Sequence, residues 1–182
     1  MTQLISAVKT DWTESDLAAL PRDGHRYEII DGRLYVSPPA GENHQSASAE
    51  IFMALRLAAP PGWRVLFEIG LTIDDDRFIP DLVVLPPGTP PANADYNDVR
   101  AVRPALVVEI ASRSTETTDQ GDKMIAYARG GIPAYWRVDL NGTVVLHELG
   151  PHGAYEVVGT LNPGEWQDAR QPFPVTVQSR AR

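Results

Sequence analysis

The sequence of 182 residues contains no cysteine. Disulfide bonds, zinc sites built on thiolates and a cysteine nucleophile are therefore excluded. No segment approaches the roughly 20 consecutive apolar residues that a membrane-spanning helix needs. Residues 1–12 also lack the basic and apolar regions of a signal peptide. These absences predict a cytoplasmic protein that has no membrane partner.

Basic residues are outnumbered by acidic ones, since 16 Lys and Arg stand against 24 Asp and Glu and give a formal net charge of −8. This balance argues against a generic cationic coat for nucleic acid, because such binding depends on neutralising phosphates. Lysine is especially scarce: Lys9 and Lys123 stand beside 14 arginines. The length and the 43% hydrophobic content predict one globular domain over residues 1–182, with a flexible segment at 1–12.

Hydrophobic periodicity and turn residues predict an alternation of helices and strands. The dipeptides Asp31-Gly32 and Asn141-Gly142 are typical of two-residue hairpin turns. Predicted helices span 14–20, 43–58 and 119–129; predicted strands span 26–30, 34–36, 63–67, 69–73, 82–85, 105–110, 134–138 and 144–146; 86–103 and 112–118 are predicted loops. This order predicts an α/β (α+β) fold in which helices flank a central mixed sheet with added β-hairpins.

Carboxylates stand at the ends of two apolar predicted strands. Asp81 comes directly before Leu82-Val83-Val84, and Glu109 follows Leu106-Val107-Val108. The ends of strands are common active-site positions in α/β folds. Two carboxylates that are brought together repel each other unless a cation lies between them, and oxygen ligands suit Mg²⁺ or Mn²⁺. Asp81 and Glu109 are therefore candidate metal ligands.

The predicted helix 119–129 places Asp119, Lys123 and Tyr127 on one face, at positions i, i+4 and i+8. A lysine beside a pair of metal-binding carboxylates can orient water or stabilise negative charge in a phosphoryl transition state. We expect Glu28, in the first hairpin, to reach the same site.

These residues belong to an ordered series of motifs. The series comprises Tyr27-Glu28-Ile29-Ile30-Asp31-Gly32, Pro80-Asp81-Leu82-Val83-Val84, Val107-Val108-Glu109-Ile110-Ala111-Ser112, Asp119 with Lys123 and Tyr127, and Gly131-Ile132-Pro133-Ala134-Tyr135-Trp136. It resembles the Uma-two family of restriction-endonuclease-like proteins in the PD-(D/E)xK superfamily, over residues 13 to 150. The resemblance implies a restriction-endonuclease-like core, a divalent metal and hydrolysis of phosphodiester bonds.

The resemblance also implies roles for individual residues. Asp81 and Glu109 would hold the metal, Glu28 would match the upstream acidic residue, and Lys123 would be the catalytic lysine. In the plain superfamily pattern the lysine follows the glutamate by two positions, and Ala111 stands there in this chain. The family resemblance implies that the lysine has moved to the following helix, as Lys123.

Two further residues are candidates for supporting roles, besides Asp119 and Tyr127. His44 stands at the start of a predicted helix, where the family tends to show histidine, and either lines the site or caps the helix. Glu68 lies on a strand before Asp81 and is either an additional ligand or part of an exposed strand face.

Each principal candidate also has a purely structural explanation. Asp81 would be a turn residue, and Glu28 would pair with an arginine of its own hairpin. Glu109 would pair with an arginine such as Arg113, and Lys123 would form an exposed pair with Asp119. A lysine in a chain that otherwise uses arginine favours the functional interpretation of Lys123.

The sequence therefore predicts an endonuclease that depends on Mg²⁺ or Mn²⁺ and cleaves DNA. A homodimer is expected, because enzymes that cut both strands commonly pair two sites. Any DNA-binding surface has to be local, built for example from Arg100, Arg103 and Arg113. Two alternatives remain: a binding or regulatory module with a degenerate site, and a metal-dependent hydrolase of a small nucleotide or phosphorylated substrate.

Overall fold

The computed structural model describes residues 9–111, 121–139 and 141–179. In these ranges the helices are α1 (Glu14–Ala18), α2 (Glu42–Ala58), α3 (Val99–Val102) and α4 (Asp122–Arg129). The strands are β1 (Arg26–Ile30), β2 (Arg33–Ser37), β3 (Arg64–Phe67), β4 (Gly70–Ile73), β5 (Asp76–Phe78), β6 (Leu82–Leu85), β7 (Tyr96–Asp98), β8 (Leu106–Ile110), β9 (Ala134–Val138), β10 (Val144–Leu149), β11 (Tyr155–Leu161), β12 (Trp166–Ala169) and β13 (Val175–Gln178).

The strands form two mixed sheets and one hairpin. The larger sheet has the order β11-β10-β9-β8-β6-β3, and the second has the order β2-β1-β5-β4-β7; β12 pairs with β13. In the larger sheet β8 and β9 are parallel, whereas β6 runs antiparallel to β8. A parallel pair needs a crossover connection, and α4 lies in it. The mixed α+β class predicted from the sequence is confirmed.

Within the larger sheet, β6 is buried on both faces, which explains its unbroken apolar run. On one face, Val108 packs in a cluster with Leu55 of α2. On the other face, Val107 packs in a cluster with Phe78 of the second sheet and Tyr127 of α4. Because side chains alternate along a strand, Glu109 lies on the same face as Val107, toward α4.

The predicted first hairpin is confirmed in detail. Asp31 and Gly32 both have positive φ, 51° and 70°, as a type I′ turn requires. The predicted helix at 43–58 corresponds to α2, which begins one residue earlier.

The predicted loop at 86–103 is wrong in part, because it contains β7 and α3. β7 pairs in parallel with β4, and Tyr96 lies opposite Gly70. This pairing joins segments far apart in the chain, so the local proline-rich composition does not reveal it. The acidic run Asp74-Asp75-Asp76 forms the connection between β4 and β5 only in part, since Asp76 already begins β5.

The predicted helix 119–129 corresponds to α4, which is described from Asp122 onward. Asp119, like the predicted loop at 112–118, lies outside the described residues. Within the described ranges, no helix combines the length and apolar character needed to cross a bilayer. A single domain over the whole chain and a flexible segment at 1–12 stay predictions.

Candidate active site

Asp81 and Glu109 face each other across two antiparallel strands. Leu82 of β6 lies opposite Val108 of β8, and one further step in this register places Asp81 opposite Glu109. Opposite residues of an antiparallel pair lie about 4.5–5.5 Å apart and point to the same face. Both side chains are 2% exposed. The predicted pair of carboxylates is thus brought together in the interior.

The Asp81 carboxylate receives three partners. Nη1 of Arg26 donates to Oδ1 at 2.5 Å, and the backbone N–H of Ile110 donates to Oδ2 at 2.7 Å. Nε2 of His44 lies 3.2 Å from Oδ2 and is the donor, because an ionised carboxylate only accepts. Burial opposes ionisation, but the His44 hydrogen bond and the charge of Arg26 outweigh it and hold the pKa of Asp81 below its ordinary value.

The Lys123 ammonium is held between two carboxylates. Its Nζ atom lies 3.0 Å from Oε2 of Glu28 and 3.2 Å from Oε1 of Glu109. Lys123 belongs to the first turn of α4, which carries it onto the end of β8. Glu28 is fixed in turn by the N–H of Ile79, which donates to Oε1 at 2.7 Å. All three charged side chains are at most 2% exposed.

Tyr127 completes the cluster from the next turn of α4. Its hydroxyl donates to Oε1 of Glu109 at 2.6 Å, and the residue is fully buried. Burial and the nearby charges of Glu109 and Glu28 raise the pKa of Tyr127 well above its ordinary value. The phenol therefore stays protonated and remains a donor to Glu109 over the physiological pH range.

The cluster joins three buried carboxylates, those of Glu28, Asp81 and Glu109, to the cations Arg26 and Lys123. At their ordinary ionisation these five groups carry one net negative charge. Buried ion pairs are weak contributors to stability, since desolvation offsets much of the attraction. Clusters of this kind inside a protein are therefore candidates for a functional role.

The structure brings together most of the residues singled out in the sequence. Asp81 and His44 form one hydrogen-bonded group, and Lys123 and Tyr127 join Glu28 and Glu109 in a second. The two groups meet where Asp81 lies opposite Glu109. Glu68 lies at its edge, with a side chain that is 56% exposed and an Oε1 atom 3.9 Å from Nη1 of Arg26. The functional roles of these residues stay predictions.

Arg26 was missed as a member of the site. Arg26, Glu28 and Ile30 alternate onto the same face of β1, which is the signal that places Arg26 beside the cluster. The structural explanation that paired Glu28 with an arginine of its hairpin is wrong, because Glu28 pairs with Lys123. Arg26 instead reaches Asp81, 55 residues later in the chain.

The donor chemistry of the cluster suits a hard divalent cation, since carboxylate oxygens are the ligands that Mg²⁺ and Mn²⁺ prefer. Asp81 and Glu109 offer such oxygens on one face of the sheet. Among the described residues, no three His, Asp or Glu side chains are arranged as a ready metal shell. Arg26 and Lys123 supply the positive charge next to the carboxylates.

A cleft of about 490 Å³ adjoins the cluster at Glu68 and Ile79. Tyr27, Glu68, Ile79 and Tyr96 are among its lining residues. Ile79 is also the backbone donor to Glu28, and Glu68 approaches Arg26. Glu28, Asp81 and Glu109 are not among the lining residues, so the cleft adjoins the buried carboxylates without including them.

Arg100 and Arg103, two of the arginines expected to form a DNA surface, are paired outside the cluster. Arg100 pairs with Asp74, which also binds Arg129 at the last turn of α4. Lys123 lies in the first turn of that helix, about 9 Å along its axis from Arg129 at 1.5 Å per residue. Arg103 donates to the carbonyl of Arg100, and Arg113 lies outside the described residues.

The sequence model of the Uma2 family, described as "Putative restriction endonuclease", matches residues 14–181. The chain belongs to the Uma2 family. The match includes every member of the cluster, from Arg26 to Tyr127, and extends the resemblance beyond residue 150. A comparison with curated proteins gives no match.

A solved structure supports the fold of this Uma2 chain. It is the crystal structure of a "putative nuclease belonging to DUF820" from Anabaena variabilis, with a TM-score of 0.69 and 19% sequence identity. The similarity covers 87% of this chain and 89% of the other. The nuclease-like fold predicted from the sequence is thereby confirmed.

Proposed function

We propose that this Uma2 protein is an endonuclease that hydrolyses DNA phosphodiester bonds with Mg²⁺ or Mn²⁺. Membership of a family described as restriction endonucleases supports nuclease-like chemistry. The requirement for a divalent metal and the choice of DNA as substrate are inferred from the chemistry of the cluster. A homodimer and a cytoplasmic location also stay predictions.

The observation that carries the proposal is the position of Lys123. A buried ammonium lies within 3.2 Å of two buried carboxylates, and the second of these stands opposite Asp81. A contribution to stability does not explain these four buried charged groups, because apolar residues of similar volume often stabilise a core as well or better. Hydrolysis of a phosphodiester uses both kinds of group, carboxylates for a metal and a cation for developing negative charge.

In this proposal Asp81 and Glu109 hold the divalent cation. When bound, the cation supplies Lewis-acid charge at the scissile phosphate. Lys123 orients the attacking water or donates to a phosphoryl oxygen whose negative charge grows in the transition state. The water oxygen forms a bond to phosphorus as the P–O bond to the leaving oxygen breaks; one water proton passes to solvent, and the leaving alkoxide takes up a proton from solvent.

Glu28 and Tyr127 position the reacting groups in the same proposal. Glu28 holds the Lys123 ammonium as a second carboxylate partner, with Oε2 3.0 Å from Nζ. Tyr127 fixes Oε1 of Glu109, which leaves the carboxylate little freedom to rotate. His44 fixes Oδ2 of Asp81 in a comparable way. Such positioning lowers the cost of ordering the groups during the reaction.

A panel of substrates and cations tests the proposal. Duplex DNA, single-stranded DNA and mononucleotides are incubated with the purified protein in Mg²⁺, Mn²⁺ or EDTA. The proposal expects new DNA ends in either metal and none in EDTA. Absence of cleavage of every DNA form in both metals would contradict it.

A small nucleotide or phosphorylated substrate is the second candidate. The adjoining cleft of about 490 Å³ lies within the range of roughly 300–1,000 Å³ typical of small-molecule sites. Glu14, Glu68 and Asp95 outnumber Arg22 in its lining, and this excess of negative charge opposes the approach of a long polyanion. Turnover of mononucleotides without cleavage of DNA would favour this candidate.

A degenerate site is the third candidate, since Ala111 stands in the usual lysine position and is buried. The contact between Lys123 and Glu109 argues against it, because an ammonium reaches the carboxylate from α4 instead. Calorimetric titration with Mn²⁺ separates the two. Lack of any binding would favour a regulatory module.

A further inference from the structure

We infer that Arg26 competes with a divalent cation for the Asp81 carboxylate and moves toward Glu68 when the cation binds. This inference rests on the proposed function, because it assigns Asp81 to the metal. It adds a residue that controls how readily the metal enters. Replacement of Arg26 by an uncharged residue should therefore increase the affinity of the site for the metal.

The inference begins from the position of the guanidinium. Nη1 of Arg26 lies 2.5 Å from Oδ1 of Asp81 and 3.9 Å from Oε1 of Glu68. The Asp81 side chain is 2% exposed, that of Arg26 15% and that of Glu68 56%. Arg26 thus lies between a buried carboxylate and a solvent-facing one, and the solvent-facing one, Glu68, lines the cleft.

A cation approaching Asp81 meets this guanidinium directly. Two positive groups at one carboxylate oxygen repel each other, and the repulsion is stronger in the interior than in water. A lysine or histidine in this place could lose its proton and become neutral. An arginine side chain stays protonated, so it has to move.

Glu68 offers the displaced side chain a second partner. If the guanidinium moves from Asp81 toward Glu68, it replaces one carboxylate partner with another, whose Oε1 atom is already 3.9 Å from Nη1. The positive charge then remains beside Glu68, which lines the cleft. This position also suits contact with a phosphate group of a substrate.

A purely structural role for Arg26 predicts the opposite sign. If Arg26 only held Asp81 in its rotamer, its removal would loosen the carboxylate and weaken metal binding. If Arg26 competes with the metal, its removal strengthens binding. The sign of the change in affinity therefore separates the two roles.

The test is calorimetric titration of Mn²⁺ into the wild type, Arg26→Gln and Arg33→Gln. Arg33 is a matched control, since it is exposed and lies at the other end of the same hairpin, opposite Ile30. We expect Arg26→Gln to bind Mn²⁺ about tenfold more tightly or better, and Arg33→Gln to stay within about twofold of the wild type.

The outcomes are distinguishable from failure of the proposed function. A wild type that binds Mn²⁺ as tightly as Arg26→Gln, or more tightly, overturns the inference and leaves the proposed function intact. Absence of Mn²⁺ binding in both proteins overturns both. Circular dichroism checks that Arg26→Gln is folded.

A measurement on the wild type does not depend on that variant. Mg²⁺ is added while the Nε–H signals of the arginine side chains are followed by NMR, with Arg26 assigned through Arg26→Lys. We expect the Arg26 signal to shift as Mg²⁺ binds, while that of Arg33 stays in place. An Arg26 signal unchanged at saturating Mg²⁺ would refute displacement.

A double-mutant cycle tests the part assigned to Glu68. Glu68→Gln should weaken Mn²⁺ binding in the wild-type background, because the displaced guanidinium loses its second partner. The same change should have little effect in the Arg26→Gln background. An equal weakening in both backgrounds would instead show Glu68 acting on the metal directly, and would overturn this part.

Discussion

Nζ of Lys123 lies 3.2 Å from Oε1 of Glu109, although the two residues are 14 positions apart in the chain. Glu109 belongs to β8 and Lys123 to α4, the helix in the crossover between the parallel strands β8 and β9. The crossover returns the helix to the sheet face that carries Glu109. Lys123 on that helix therefore contacts Glu109. In the plain superfamily pattern, the lysine beside this glutamate stands two positions after it, where this chain has Ala111.

Lys123→Met is expected to reduce stability as well as cleavage. The substitution keeps most of the side-chain volume but removes a cation from between Glu28 and Glu109. Removal of one partner from a buried ion pair costs about 3–5 kcal/mol, because the remaining charge is buried without compensation. Urea denaturation measures the change in the free energy of unfolding.

Lys9→Met is the matched control for that prediction, because Lys9 is the other lysine of the chain. Lys9 pairs with Asp16 at the surface. Exposed pairs contribute little, so we expect no measurable loss of stability. Equal urea midpoints for Lys123→Met and the wild type would contradict the buried ion-pair cluster.

Tyr127→Phe is expected to slow cleavage while the fold is kept. It removes the hydroxyl that donates to Oε1 of Glu109, and the loss of a donor to a buried acceptor costs about 1–3 kcal/mol. Tyr155→Phe removes a comparable donor, to the carbonyl of Ile132, away from the carboxylates. Cleavage rates should fall for Tyr127→Phe and stay near wild type for Tyr155→Phe. Similar rates for the two variants would contradict the positioning role.

Acid is expected to destabilise the protein partly through Asp81. Its pKa in the folded chain lies below the ordinary value of 3.8, so ionised Asp81 favours folding. The contribution is fully present above about pH 4 and is lost as the pH falls toward the folded-state pKa. Unfolding free energies measured between pH 7 and pH 3 should decline more steeply in the wild type than in Asp81→Asn. Parallel curves would contradict this linkage.

The sequence reveals those features whose causes are local. The Asp31-Gly32 turn is evident because both residues tolerate the positive φ that the hairpin imposes. Helical spacing predicts that Lys123 and Tyr127 lie on the same face of the helix, and both side chains contact Glu109. The family motifs added the expectation that Glu28, Asp81, Glu109 and Lys123 act together.

Features that depend on distant pairing were missed. β7 forms because Tyr96–Asp98 pairs with β4, at the edge of the second sheet. The composition of 86–103 does not indicate this pairing. Arg26 contacts Asp81 only because the second sheet packs over the larger one, so the local choice of Glu28 as its partner was wrong. The alternation of side chains along β1 places Arg26 on the correct face of the strand, but it does not identify Asp81 as its partner.

The central claim is most directly tested by the cleavage of duplex DNA in Mn²⁺ by the wild type, Asp81→Asn and Asp168→Asn. Asp168 is an exposed aspartate of β12 that hydrogen-bonds Thr176, so its replacement controls for the loss of one negative charge. We expect cleavage by the wild type and by Asp168→Asn, and a loss of about a hundredfold or more in Asp81→Asn. Cleavage by Asp81→Asn at the wild-type rate, or no cleavage by the wild type, would contradict the central claim.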